Sequence, residues 1–220
     1  MKYDNITIAK FIERPNRFIA YVDIDGKREK VHVKNTGRCK ELLLPSVQVG
    51  LEKSDNPARS TQYDLVTVYK EGIGWINMDS QAPNKVVHEW LQKQKDISYI
   101  KPEYTYGDSR IDFYFEKEDG TKVLMEVKGV TLERGRIAYF PDAPTQRGVK
   151  HINELVKAME QGYRVYLAFV IQMNGIYEVR PNDETHPEFG QALRRAEEAG
   201  VTILELPCRV TESELEIYDN

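Results

Sequence analysis

The sequence predicts a mixed α/β protein of two modules, a small closed antiparallel β-barrel followed by a mixed sheet flanked by helices. Three observations predict it. The first 72 residues read as short strands with period-two alternation and turn residues between them. From about residue 83 helical stripes and strands follow in the order α-β-β-β-α-β-α-β, a hairpin meander and then a βαβ crossover. The two textures change over near residues 72–75, which puts the modules at 1–74 and 75–220.

In the first module, residues 17–24 form a half-buried strand with Phe18, Ala20, Val22 and Ile24 on one face and Tyr21 on the other. Asp25-Gly26 is a hairpin turn signal. Lys30-Val31-His32-Val33-Lys34 alternates strictly, which sends Val31 and Val33 inward and Lys30, His32 and Lys34 outward. Asn35-Thr36-Gly37-Arg38 breaks the strand, residues 40–44 suit a short helical turn ended by Pro45, and 47–53 and 61–70 complete about five strands. That pattern fits an OB-fold, and equally any other small antiparallel barrel or sandwich.

In the second module, Pro83 stands near the start of a helix over 83–95 whose stripe is Val86, Val87, Trp90 and Leu91. Strands over 99–106, 109–116 and 121–128 are joined at Gly107-Asp108 and Asp119-Gly120. After the loop Phe140-Pro141-Asp142-Ala143-Pro144, a helix over 145–161 places Val149, Ile152, Val156 and Met159 on one stripe, and Gly162 ends it. Residues 163–171 are an apolar run of the kind buried in a sheet, 187–199 a helix ended by Gly200, and 201–206 a last strand.

Composition narrows the function classes. Of 220 residues, 40% are apolar and 30% charged, enough to build a globular core, and the net charge of −4 excludes a surface that is basic all over. The charge is unevenly spread: residues 1–40 carry ten Lys/Arg against five Asp/Glu, residues 181–220 three against ten. The acidic end, 212–219, is expected to be solvated. No apolar run approaches the roughly 18 residues of a membrane span, and the start lacks the apolar segment of a secretory signal. Cys39 and Cys208 have no metal-ligand spacing, so a cytoplasmic protein with two buried or free thiols is expected.

The chemistry is carried by two neighbouring strands. Asp112 shares a face with Arg110 and Tyr114, and Glu126 shares one with Leu124 and Lys128. If the strands form a hairpin, period two places Asp112 and Glu126 side by side, with Lys128 two residues on. Two adjacent carboxylates repel unless a proton or a cation lies between them. Mg²⁺ or Mn²⁺ takes one or two carboxylates together with water and phosphate oxygens, and a nearby Lys stabilises charge developing on phosphate. Asp112, Glu126 and Lys128 are therefore the candidate catalytic residues, with Asp112 and Glu126 as metal ligands. On these residues alone a cross-strand ion pair on a solvated face is the alternative. The element order is that of the restriction-endonuclease-like fold, in which an Asp begins the second strand and an E-x-K ends the third. Glu89, on the preceding helix, matches the place of a further acidic ligand.

A basic surface accompanies this constellation. Arg14, Arg17, Lys27, Arg28, Lys30, His32, Lys34, Arg38 and Lys40 gather on the first module, where each cation near a phosphate strengthens binding in a salt-dependent way. The alternative is a Lys-rich strand edge that deters aggregation. Tyr21 is placed to stack on a base. Arg147, Lys150 and His151 stand at a helix start, where the dipole disfavours cations, so a phosphate or carboxylate partner is expected. Lys150 also has Glu154 at i,i+4, and His151 also reads as a structural histidine. Arg134 and Arg136 lie in a loop that either touches DNA or is solvated.

Several longer motifs make a family resemblance visible. They are Asn35-Thr36-Gly37-Arg38 with Glu41-Leu42-Leu43-Leu44-Pro45, Trp75-Ile76-Asn77 with Gln81-Ala82-Pro83-Asn84, Arg110-Ile111-Asp112-Phe113, and Glu126-Val127-Lys128-Gly129-Val130-Thr131-Leu132. Phe140-Pro141-Asp142-Ala143-Pro144-Thr145 and Arg147-Gly148 with Lys150-His151 and Glu154-Leu155 complete the set. Over essentially the whole chain the sequence resembles the sugar fermentation stimulation protein A family. The resemblance implies an N-terminal OB-like domain, a C-terminal nuclease-like domain of the PD-(D/E)XK class, and a DNA-binding protein linked to regulation of sugar (maltose) metabolism. Ile111 stands where the general nuclease motif has a proline. The expected partner is double-stranded DNA, with no membrane; a homodimer and a Mg²⁺- or Mn²⁺-dependent endonuclease activity are both open, as is binding of single strands by the first module.

Overall fold

The structure is a computed structural model that describes residues 1–218 apart from Thr36 and Asp108. Thr36 of the Asn35–Arg38 motif, Asp108 of the second-module turn, and Asp219 at the acidic end thus lie outside the described residues.

The first sheet contains β1 (Ile6–Asn16), β2 (Ile19–Ile24), β3 (Lys27–Val33), β4 (Gln48–Lys53), β5 (Tyr63–Lys70) and β6 (Gly74–Asn77). Their order is β3-β2-β1-β4-β5-β6, and a parallel pairing of His32 with Asp64 and Val33 with Leu65 joins β3 to β5 and closes a five-stranded barrel. The alternating residues Ala20, Val22, Val31, Val33, Val49, Leu51, Leu65 and Val68 fill it and are almost wholly buried.

Four sequence expectations change here. β1 has no counterpart in the sequence pattern, because register shifts between Phe11 and Asn16 break its alternation. The strand expected from residue 17 begins at Ile19. The Asn16 side chain accepts the amide hydrogens of Phe18 (2.9 Å) and Ile19 (3.0 Å), making a turn that leaves Phe18 49% exposed instead of in the barrel. The glycines expected to separate the modules close a hairpin instead: Gly72 takes φ +80° and β6 returns antiparallel on β5, so the first sheet runs to Asn77. A hydrogen-bonded turn in which Leu42 and Leu43 both donate to the Cys39 carbonyl stands where the helical turn was expected.

The second sheet has the order β15-β14-β12-β9-β8-β7. β7 (Ile97–Tyr106), β8 (Ser109–Lys117) and β9 (Lys122–Val130) are an antiparallel meander, β12 (Arg164–Ile171) and β14 (Thr202–Val210) continue in parallel, and β15 (Leu215–Ile217) returns antiparallel. A three-stranded sheet of β10 (Leu132–Arg134), β11 (Ile137–Phe140) and β13 (Val179–Pro181) stands beside it. α1 (Ala82–Lys93) buries Val86, Val87 and Leu91 in a cluster that contains Phe113, Phe115, Val123 and Met125. α2 (Gln146–Glu160) and α3 (Pro187–Ala199) belong to the other cluster, through Ile152, Leu155, Phe189 and Leu193 with Leu124, Leu167 and Phe169. At about 25 cal/mol per Å² of apolar surface, this two-sided burial is what holds the helices on the sheet.

The barrel and the second sheet share one core and a buried polar knot. Ile76 bridges Met173, Asn77 and Gln172 bond through both backbone and side chains, and Tyr3 joins Asn77 (2.8 Å) and Asp79 (3.2 Å). The Gln172 amide nitrogen also donates to the Asp79 carbonyl at 3.2 Å, and these buried hydrogen bonds tie the barrel to the sheet. No helix among the described residues is long and apolar enough to cross a membrane.

Candidate functional site

The β8–β9 ladder stops at Phe113 opposite Met125. Extending that register one step sets Asp112 opposite Glu126, so the strands open where the two carboxylates stand. Opening frees the Val127 amide, and Asp112 Oδ2 accepts it at 2.7 Å. Asp112 Oδ1 accepts from the Asn84 side chain at 2.8 Å, delivered by the first turn of α1. On the same face Glu126 Oε1 accepts from Lys128 Nζ at 2.5 Å and from His151 Nδ1 on α2. His151 Nε2 then faces Arg147 Nε at 3.3 Å. The other Glu126 oxygen, Oε2, is buried with no hydrogen-bond partner.

These groups line one open cleft of about 470 Å³, together with Gln81, Lys85 and Arg110. Its electrostatics are asymmetric. Burial raises the Asp112 carboxyl, and the neighbouring Glu126 charge raises it further against the bonds from Val127 and Asn84. Burial acts the same way on Glu126, but the His151 hydrogen bond and Lys128 outweigh it and hold that carboxyl below its usual range. A buried oxygen without a donor, beside a second carboxylate that resists ionisation, is a site short of positive charge. The donor set is all oxygen and suits a hard divalent cation. Among the described residues no three His, Cys, Asp or Glu side chains gather to hold an ion unaided, so water and phosphate oxygens would have to complete its shell.

Two family profiles cover the chain. The SfsA N-terminal OB domain matches residues 12–78, and the sugar fermentation stimulation protein RE domain matches residues 81–214. The chain belongs to the sugar fermentation stimulation protein family. It is 55% identical, over all of its length and 97% of the relative, to the sugar fermentation stimulation protein homolog of Clostridium beijerinckii. The homolog of Ruminiclostridium cellulolyticum is 56% identical, over 99% of this chain and 96% of its own. Among solved structures, Pyrococcus furiosus SfsA in complex with Ca²⁺ superposes with a TM-score of 0.85 at 27% identity, covering 99% of this chain and 95% of that one. The fold is thus an OB-like barrel followed by a restriction-endonuclease-like domain.

Within the SfsA framework, the structure treats the sequence-derived residues unequally. Asp112, Glu126, Lys128, Arg147 and His151 converge in the cleft. Glu89 does not. It lies five residues past Asn84, about 140° further round the helix, is half exposed, and pairs with the amino terminus at 2.7 Å. Asn84 occupies the α1 position facing Asp112. It was present in the Gln81–Asn84 motif, but as an amide it gave no signal of its own. Lys150 is exposed and pairs with Glu154 at 3.5 Å.

The basic face of the barrel is smaller than its sequence implies. His32 and Lys34 do not point free into solvent: His32 Nδ1 meets Asp64 at 2.9 Å, and Lys34 lies 3.3 Å from both Glu52 and the fully buried Asp79. Asp64 is further held by Arg59 at 2.6 Å. Burial works against the Asp64 charge, but Arg59, His32 and Lys34 hold its carboxyl below the usual range. Arg28 pairs with Glu13 and covers the Tyr21 ring at 4.2 Å, so that ring is already stacked. Arg14 donates to the carbonyls of Arg17, Asn35, Gly37 and Arg38, which makes it a clamp between two loops. Arg17, Lys27, Lys30, Arg38 and Lys40 remain exposed without a carboxylate partner among the described residues. Arg134 pairs with Glu184, and Arg136 donates to the Gly72 carbonyl. Burial pushes both thiols, Cys39 and Cys208, up to about 12, so neither is a reactive thiolate.

Proposed function

We propose that the chain is a DNA-binding protein whose second domain is a divalent-metal-dependent phosphodiesterase centre. The observation that carries the reading is the buried, partnerless Glu126 Oε2 beside the charge-starved Asp112. Asp112 and Glu126 would hold the cation, which supplies charge at a phosphate and lowers the pKa of water. Asn84 and the Val127 amide orient Asp112, and His151 with Lys128 orients Glu126, so both carboxylates are held in one rotamer before substrate arrives. The Lys128 ammonium, 14% exposed at the cleft, stabilises negative charge developing on a phosphoryl oxygen. Arg147 and Lys85 at the rim offer the phosphate contacts that position a backbone.

The Ca²⁺ in the Pyrococcus furiosus structure supports a divalent ion here, with Mg²⁺ or Mn²⁺ as the working metal. The name carried by the relatives supports a regulatory setting in sugar metabolism. Calorimetric titration of Mn²⁺ into the wild type and Glu126→Gln, alongside a plasmid-nicking assay, tests the reading. Expected are metal binding by the wild type, its loss in the variant, and metal-dependent nicking that disappears in Lys128→Met. A wild type that binds neither Mn²⁺ nor Ca²⁺ overturns it.

A further inference from the structure

We infer that a groove on the barrel, outside the metal cleft, takes one unstacked nucleotide, so that the preferred ligand is DNA with a single-stranded segment next to a duplex. The inference rests on the DNA reading above and adds which DNA is bound. The groove has a volume of about 440 Å³. Its wall is apolar, with Phe11, Leu43 and Pro45, and its rim carries Arg17, Arg38 and Lys40.

Those three cations stand apart from their neighbours. None has a carboxylate within ion-pair distance among the described residues, whereas Arg28, His32 and Lys34 each face one. Among the described residues the one carboxylate in the groove, Glu13, is already taken by Arg28. An apolar wall under free cations complements a nucleotide, with the base on the wall and the phosphate at the rim. A base inside a duplex is stacked on both faces and cannot lie on that wall, which is why the groove selects a single strand. Two exposed apolar side chains, Phe18 (49%) and Leu44 (54%), adjoin the groove in sequence, and the Arg17 guanidinium lies 5.5 Å from the Phe18 ring centre. The walls are preset, because the Arg14 clamp ties the turn at Arg17 to the loop at Asn35–Arg38.

The groove also connects to the metal cleft. Gly37 lines both it and a second cleft of about 320 Å³, and that cleft shares Ser80 and Thr145 with the site of Asp112 and Glu126. Gly37 packs so closely on the second domain that a Cβ there would come within 2.5 Å of the Asp142 carboxylate, so the groove and cleft are held together. Among the described residues the middle cleft contains Asp142 and no Lys or Arg. Phosphates are thus gripped at its two ends, the barrel rim and the Lys128–Arg147 side.

Fluorescence anisotropy in EDTA, which suppresses cleavage, tests this with a blunt duplex, the same duplex carrying a single-stranded tail, and the single strand alone. The tailed duplex should bind about 5- to 150-fold more tightly than the blunt one, the gain from stacking one base. In the variant Arg17→Ala/Arg38→Ala/Lys40→Ala that preference should vanish, the tailed probe losing clearly more affinity than the blunt duplex. The salt slope for the tailed probe should shrink by about 0.7 for each phosphate that the variant no longer neutralises. All three residues are exposed, and an unchanged melting curve verifies the fold. Equal binding of tailed and blunt probes overturns the inference, as does a variant that weakens both alike. Failure to bind any DNA at low salt overturns the parent reading too, whereas binding of the blunt duplex without a tail preference overturns the groove alone.

Discussion

Replacing Lys128 by methionine removes the ammonium from Glu126 while keeping a stem of similar length in the sheet. Lys128 Nζ lies 2.5 Å from Glu126 Oε1, and the two side chains are 14% and 3% exposed, so solvent cannot stand in for the lost charge. His151 remains as a second donor, which keeps the cost below that of stripping a buried charge bare. A hydrogen bond to a charged group contributes about 1.5–3 kcal/mol. At about 2–4 °C per kcal/mol for a chain of this size, the metal-free variant should melt about 3–12 °C below wild type near neutral pH. The sign with pH follows from Glu126. Its folded-state carboxyl is depressed, so its contribution is present above the ordinary carboxylate value of about 4.3 and is lost as pH falls through the folded value. The melting difference should therefore narrow in acid. Mn²⁺ should restore the variant, by about 2.7 kcal/mol at a hundredfold excess over its Kd, because a cation at Glu126 Oε2 replaces the missing charge. Differential scanning fluorimetry over pH and Mn²⁺ measures all three effects. Equal melting temperatures at neutral pH without metal, or no response to Mn²⁺, would refute the claim that this carboxylate is short of positive charge.

Glu89→Ala should leave Mn²⁺ affinity within about twofold in a calorimetric titration, since surface pairs such as that with the amino terminus contribute about 0–1 kcal/mol; a clear loss would return Glu89 to the metal shell. Gly129→Ala should lower stability by about 1–3 kcal/mol, because its Cβ would stand 2.6 Å from Pro83 Cγ and press on the Gln172 amide; a thermal melt unchanged within experimental error would contradict this. Lys34→Ala should cost about 1.5–3 kcal/mol by stranding Asp79, which keeps the Tyr3 hydroxyl and the Gln81 amide, while DNA affinity of the folded protein stays within about twofold. A tenfold loss of DNA affinity at unchanged melting temperature would show that Lys34 faces the nucleic acid after all.

Sequence alone sufficed for whatever depends on chain-local period. Alternation at Val31 and Val33 identified a barrel wall, and the two-residue step from Glu126 to Lys128 put both on one face. The hairpin signal at Asp119-Gly120 brought β8 against β9 and so Asp112 toward Glu126. Where the period is interrupted the sequence is silent: the bulged β1 shows no continuous alternation, and alternation alone sends Phe18 inward although the Asn16 turn rotates it out.

Tertiary structure alone decided the partners. His32 and Lys34 alternate like outward-facing cations, yet β3 pairs with β5 and its neighbours bring Asp64, Glu52 and Asp79 onto them. Arg14 looks like a phosphate contact until two loops present it with four carbonyls. His151 reads as a member of a basic helix start or as a structural histidine until α2 packs across β9 and sets it on Glu126. Periodicity fixes the face on which a side chain leaves the backbone, but a charge is neutralised by groups tens of residues away in the chain. Only the packing of strands and helices determines whether it ends as a structural pair, a metal ligand or a free cation at a groove.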